Sequence, residues 1–223
     1  MSLEDQKRSL IQNLVESNYI RTEKVRKAFE KVSRELFIPP EYREHAYVDT
    51  PLPIGYGQTI SAPHMVAIMT EKLDIREGDL VLEIGTGSGY QAAIIAELVD
   101  PESKGEGHVV SIEFIPELAE FARENLIRSG YYDRVSIIVG DGGLGTFEGR
   151  ELYDRIIVTA ASPKIPGKLL SQLKVGGVMI APIGDRWVQV LYIIRKTSEK
   201  EFTAEEDIPC VFVPLRGREG FKI

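Results

Sequence analysis

The stretch V-L-E-I-G-T-G-S-G-Y at residues 81–90 sets an apolar run against three alternating glycines, Gly85, Gly87 and Gly89. An apolar run that stops at glycine reads as a buried strand, and such glycines let the backbone turn tightly and approach a ligand closely. A helix start just beyond adds N–H groups without intrahelical partners. Two more apolar runs close on an acid: H-V-V-S-I-E ends at Glu113, and R-V-S-I-I-V-G is followed by Asp141. An acid at the first of these strand ends can accept both hydroxyl protons of a ribose. One at the second can accept the amino group of an adenine. Together these residues suit the holding of an adenosine-containing cofactor outside the carboxyl ends of a sheet.

Two such cofactors compete. The dinucleotide fingerprint G-x-G-x-x-G needs glycine at position 90, where Tyr90 stands. The alternative G-x-G-x-G, with an acid two residues ahead at Glu83, is the pattern for S-adenosylmethionine. That donor has no pyrophosphate, so its site need not be built on the helix N-terminus. Glu83 is then expected to hold the loop and the donor's amino end. Thr86 and Ser88 lie within the loop, and Gly142 extends the Asp141 end. Plainer readings stand beside these: a glycine-rich turn, a solvated strand-end glutamate, and a turn aspartate before glycine. Three successive strand ends that each carry a suitable group reinforce one another.

A second constellation precedes the first. Residues 49–65 read D-T-P-L-P-I-G-Y-G-Q-T-I-S-A-P-H-M, a density of proline and glycine that disfavours both helix and central strand. An irregular loop is expected over 47–62, ahead of a helix begun by Pro63. Long loops in compact domains usually have a function, and a flexible run before a helix can close over a ligand. Ser61 reads equally as a helix cap, and His64 as a surface residue of the first helical turn.

The elements that must position these residues follow from periodicity. Leu3, Leu10, Ile11, Leu14 and Val15, then Val25, Ala28, Phe29 and Val32, fall near helical spacing, with Thr22 opening the second helix. Beyond Gly78, strands in D-L-V-L-E-I-G (79–85), at 108–113, in R-V-S-I-I-V-G (134–140) and at 154–159 alternate with helices at 92–98 and 116–129. This is the order of a doubly wound parallel sheet. Later apolar runs, G-V-M-I-A-P-I, V-Q-V-L-Y-I-I and finally I-P-C-V-F-V-P, lack intervening helices and predict an antiparallel end.

Composition narrows the functional class. A net charge of −7, from 34 acidic and 27 basic residues, opposes non-specific nucleic-acid binding. His45, His64 and His108 have no H-E-x-x-H spacing, and the single cysteine, Cys210, excludes an internal disulfide and a multi-cysteine zinc site. No metal is expected. There is no apolar run of membrane-spanning length and no signal-peptide pattern, so the cytoplasm is the default compartment. Three asparagines and a charged fraction of 27 % fit a heat-adapted source.

The chain resembles the protein-L-isoaspartate O-methyltransferase family along nearly its whole length. The resemblance rests on R-E-L-F-I-P, on Y-V-D-T-P-L-P-I-G-Y-G-Q-T-I-S-A-P-H-M and on the glycine motif. It continues through G-D-G, L-Y-D-R-I-I-V-T-A-A, L-K-V-G-G and F-V-P-L. It implies one Rossmann-like methyltransferase domain over 1–223: a helical extension (1–46), an active-site loop (47–62) and a core with C-terminal strands (63–223). It implies methyl transfer from S-adenosylmethionine, with S-adenosylhomocysteine as product, to the free carboxyl of L-isoaspartyl residues in proteins and peptides. By the same resemblance Thr59, Ile60, Ser61 and His64 surround donor and substrate, and Ser61 is the active-site residue. Val213 pairs its backbone with an extended substrate. Relatives often carry a small polar residue where Arg216 stands. No nucleic acid or membrane partner is expected, and a monomer is the default. A methyltransferase for a small molecule or RNA, and a non-catalytic adaptor, remain as alternatives.

Overall fold

The structure, a computed structural model, describes residues 1–147 and 149–221; the last two positions of the expected domain lie outside the described residues. Helix α1 spans Leu3–Glu16 and α2 spans Glu23–Lys31; each starts at a hydroxyl cap, Ser2 and the expected Thr22. Two short 3-10 turns follow at Arg34–Phe37 and Pro40–His45. This N-terminal segment packs into the same core as the sheet. Phe29 and Phe37 meet the Tyr90 ring edge-on, with centroids 6.4 and 5.6 Å away.

The run expected to be an irregular loop is mostly an ordered hairpin. Strand β1, Leu52–Gly55, pairs antiparallel with β2, Gln58–Ile60. Its turn residues Tyr56 and Gly57 both take positive φ, 53° and 72°, as a two-residue hairpin connection requires. Proline is compatible because this ribbon stands apart from the main sheet and has unpaired outer edges. Leu52, Ile54 and Ile60 anchor it in the core. Helix α3, Pro63–Leu73, then begins at proline as expected.

The main sheet contains β3 (Leu80–Ile84), β4 (His108–Glu113), β5 (Val135–Val139), β6 (Tyr153–Val158), β7 (Leu173–Gly184), β8 (Gln189–Lys196) and β9 (Phe202–Cys210). Its order is β5-β4-β3-β6-β7-β8-β9. Strands β5 through β7 are parallel and β7-β8-β9 antiparallel, the doubly wound sheet with an antiparallel end that the sequence predicts. Helices α4 (Tyr90–Val99), α5 (Pro116–Ser129) and the short α6 (Gly167–Leu170) complete the connections. From β3 the chain winds outward to β5, then returns to the other side of β3 as β6. That reversal opens a crevice at the carboxyl ends of β3 and β6.

The last strand departs from expectation. The sheet takes Phe202–Cys210, while residues 211–215 leave it and touch the end of β6 through an Ala161–Pro214 bridge. β9 is an edge strand whose residues Thr203, Ala204, Glu205 and Glu206 are exposed, so no apolar run marks it.

Candidate active site

A cavity opens over the ends of β3, β4 and β6, with the loop from Gly85 to Ser88 as part of its wall. Gly85 has φ +96°, and a Cβ there would lie 2.5 Å from the Thr159 hydroxyl. That hydroxyl donates towards the Ile84 and Gly85 carbonyls, at 2.9 and 2.7 Å, and so locks the turn to β6. Gly142 also lines the cavity; a Cβ on it would meet Ile84 Cγ2 at 2.5 Å. At both positions a Cβ would collide with the protein's own side chains, so this close packing of the cavity wall requires glycine.

Glu113 lines the cavity with its carboxylate already fixed. One oxygen accepts the Gly87 N–H at 2.9 Å and the other the Ile115 N–H at 3.0 Å. A carboxylate has about four acceptor positions, so two remain for a ligand's hydroxyls.

Glu83 lies behind this wall, fully buried. Its Oε2 accepts from Ser111 Oγ at 2.5 Å, and Ser111 Oγ hydrogen-bonds Thr86 Oγ1 at 2.6 Å. Thr86 faces the cavity, so Glu83 supports the loop through two hydroxyls. Its Oε1 has no partner among the described residues. Burial pushes its pKa up to about 8; the Ser111 bond opposes the rise and the charge of Glu113 adds to it.

Besides Glu83, three expected residues stand off the cavity wall. Gly89 is the N-cap of α4, behind the loop. Asp141 accepts the Gly143 N–H at 3.1 Å and the Arg218 N–H at 2.8 Å. Its carboxylate therefore ties the C-terminal segment to the end of β5, and Gly142 takes the place beside the cavity. His64 is drawn aside by Asp49, whose Oδ1 is 2.9 Å from Nδ1, and its ring packs 5.7 Å from that of Tyr19.

Thr59, Ile60 and Ser61 do line the cavity, together with Val213. The capping alternative for Ser61 fails. The N-cap of α3 is Ala62, without a side-chain cap bond, and Asp49 Oδ1 accepts the His64 N–H at 2.9 Å instead. Val213 gives its carbonyl to the Ala161 N–H at 2.8 Å, which leaves its own N–H as the group available for backbone pairing.

Other wall residues were not singled out from the sequence. Thr159 and Ala160 directly follow β6, so the strand-end rule that found Glu113 also applied to them. Phe114, Ile115 and Leu118 give an apolar surface after β4, and Gln91 is held by Thr70 at 3.0 Å. Tyr90, which broke the dinucleotide fingerprint, closes one side with a buried ring over which Arg34 lies at 5.1 Å. No group of three or more potential metal ligands occurs among the described residues, and none of their helices is long and apolar enough to cross a membrane.

Residues 5–220 match the family model for protein-L-isoaspartate(D-aspartate) O-methyltransferase. The chain belongs to this family. A family relative from Hyperthermus butylicus, named protein-L-isoaspartate O-methyltransferase, is 56 % identical over 219 residues, 97 % of this chain and 90 % of that one. Another of that name, from Staphylothermus marinus, is 54 % identical over 98 % of this chain and 97 % of its own. Among solved structures, one from Plasmodium falciparum assigned to the same enzyme, in complex with S-adenosyl-L-homocysteine, is similar at TM-score 0.83. It is 29 % identical and covers 93 % of this chain and 97 % of its own.

Proposed function

We propose that the protein methylates the free α-carboxyl of L-isoaspartyl residues in damaged proteins and peptides, the step that initiates their repair, with S-adenosylmethionine as donor. Family membership supports this reading, and so does the cavity, in which a prepared cofactor wall faces the T-I-S hairpin end. The wall fits the donor: Glu113 retains acceptor positions for ribose hydroxyls, and Gly85 and Gly142 line the cavity with bare backbone. Thr86, Ser88 and Gly87 complete that wall, while Glu83, Gly89 and Asp141 support it from behind. Bound there, the donor supplies an electrophilic methyl group on a sulfonium.

The chain's task is alignment. An α-carboxyl titrates near about 3.5, so the acceptor arrives ionised and no side chain must remove a proton. Positive charge on sulfur and negative charge on the acceptor both vanish as the methyl moves, so a site shielded from water favours the reaction. Ser61, with Thr59 and Ile60, positions the acceptor, and the Val213 N–H is the backbone contact for the peptide. His64 acts through Asp49, by fixing where the hairpin joins α3.

We also read 1–223 as one domain and a monomer, working in the cytoplasm without nucleic-acid partners; the buried free Cys210 and the −7 charge support this. Labelled methyl transfer to a matched pair of peptides tests the function. The isoaspartyl peptide should be labelled and the aspartyl one left essentially untouched. Equal labelling, or none with donor bound, contradicts it.

A further inference from the structure

Among the described residues that line the cavity, two carry a formal charge, Glu113 and Arg216. Glu113 is committed to the donor wall by its bonds to Gly87 and Ile115. Arg216 is half-buried and makes no hydrogen bond, ion pair or ring contact among the described residues. The acids in or against its segment are engaged elsewhere. Asp141 holds the Gly143 and Arg218 N–H groups, and Glu219 pairs with Lys164 at 3.4 Å.

The backbone around Arg216 is fixed on both sides. Leu215 donates to the Ala161 carbonyl at 2.8 Å and accepts from the Phe221 N–H at 3.1 Å, while Gly217 accepts from the Gly220 N–H at 3.2 Å. A guanidinium stays charged at any working pH, and a half-buried one without a counter-ion is suited to an anion. Ala161, to which this segment is tied, follows the end of β6. Helix α3, which starts just after Ser61, packs on β6 and β7. The cationic side chain therefore rises from the segment that shares the cavity with Ser61 and Val213.

We propose that Arg216 docks the anionic carboxylate of the acceptor, an inference that rests on the isoaspartyl reading above. The chain's net charge of −7 repels an acidic peptide at long range, and one cation at the mouth offsets this where it matters. A carboxylate held through one oxygen keeps the other for attack on the methyl carbon. When the C–O bond forms and the S–C bond breaks, the bonding pair stays on sulfur and the acceptor becomes a neutral ester. Arg216 then loses its ionic partner, so the same contact that gathers the substrate does not retain the product.

The test compares wild type, Arg216→Gln and Arg216→Lys on one isoaspartyl peptide, with S-adenosylhomocysteine affinity measured in parallel. Arg216→Gln should raise KM about tenfold at low salt, a typical loss for one charge-assisted contact, with kcat within about twofold and S-adenosylhomocysteine affinity unchanged. Salt should raise KM for wild type but not for the glutamine variant, and the lysine variant should fall between. An unchanged KM in Arg216→Gln overturns the inference alone. Parallel loss of S-adenosylhomocysteine affinity overturns it too, because the cation then holds the donor's own carboxylate. Failure of wild type to methylate the peptide overturns the acceptor reading, and this inference with it.

Discussion

The two halves of the cavity differ in how much of their hydrogen-bonding capacity the protein itself uses. On the donor side, Glu113 is pinned by two N–H groups, Thr159 locks the glycine turn, and Ser111 joins Glu83 to Thr86. On the acceptor side, the Ser61 hydroxyl, the Val213 N–H and the Arg216 guanidinium have no partners among the described residues. A wall built from strand ends can be set in advance, since the sheet fixes where each group points. The acceptor wall must accommodate peptides of varied sequence, and its polar groups stay uncommitted until one arrives. Donor affinity and acceptor turnover should therefore respond to different residues.

The largest expected effect lies on the donor side. Glu113→Ala removes an acceptor for the ribose and releases the Gly87 N–H. S-adenosylhomocysteine affinity should fall by about 1.5–3 kcal/mol, the scale of hydrogen bonds to a charged group. Calorimetry checks this, and unchanged affinity in a folded variant would mean the ribose is held elsewhere. NAD should show no binding to the wild type in the same titration.

A smaller effect tests the support behind the wall. Glu83 holds its proton up to a pKa of about 8 when folded, against an ordinary value of 4.5. The folded state thus binds more protons than the unfolded one between these values. Stability from this group is fully present below the lower value and is lost as pH rises through the upper one, with a slope of at most about 1.4 kcal/mol per pH unit. Glu83→Gln cannot ionise and should flatten the decline in Tm between pH 5 and 8. Parallel profiles for variant and wild type would mean that Glu83 is already ionised in the fold.

How far the site is legible in the sequence depends on whether backbone periodicity fixes a side chain's direction. Glu113 and the Gly85–Ser88 turn were legible because a strand end and a glycine spacing determine where those groups go. Asp141 ends a strand in the same way, yet Gly143 and Arg218, one of them 77 positions later, draw its carboxylate off. His64 sits in the motif but is claimed by Asp49, 15 positions earlier. The turn to Gly143 is the local aspartate-before-glycine pattern, but Arg218 and Asp49 leave no such mark. The hairpin was hidden because its prolines count against a strand only inside a larger sheet. β9 was hidden because an exposed edge strand needs no apolar run.

Ser61→Ala tests the division between the halves most directly, by melting point, S-adenosylhomocysteine affinity and saturating rate on an isoaspartyl peptide. The hydroxyl caps no helix and has no partner among the described residues, so stability and affinity should stay close to wild type. Turnover should fall at least about tenfold, since small misplacements of reacting groups cost on the order of a hundredfold. A variant that keeps its full rate, or that loses donor affinity instead, would contradict the account.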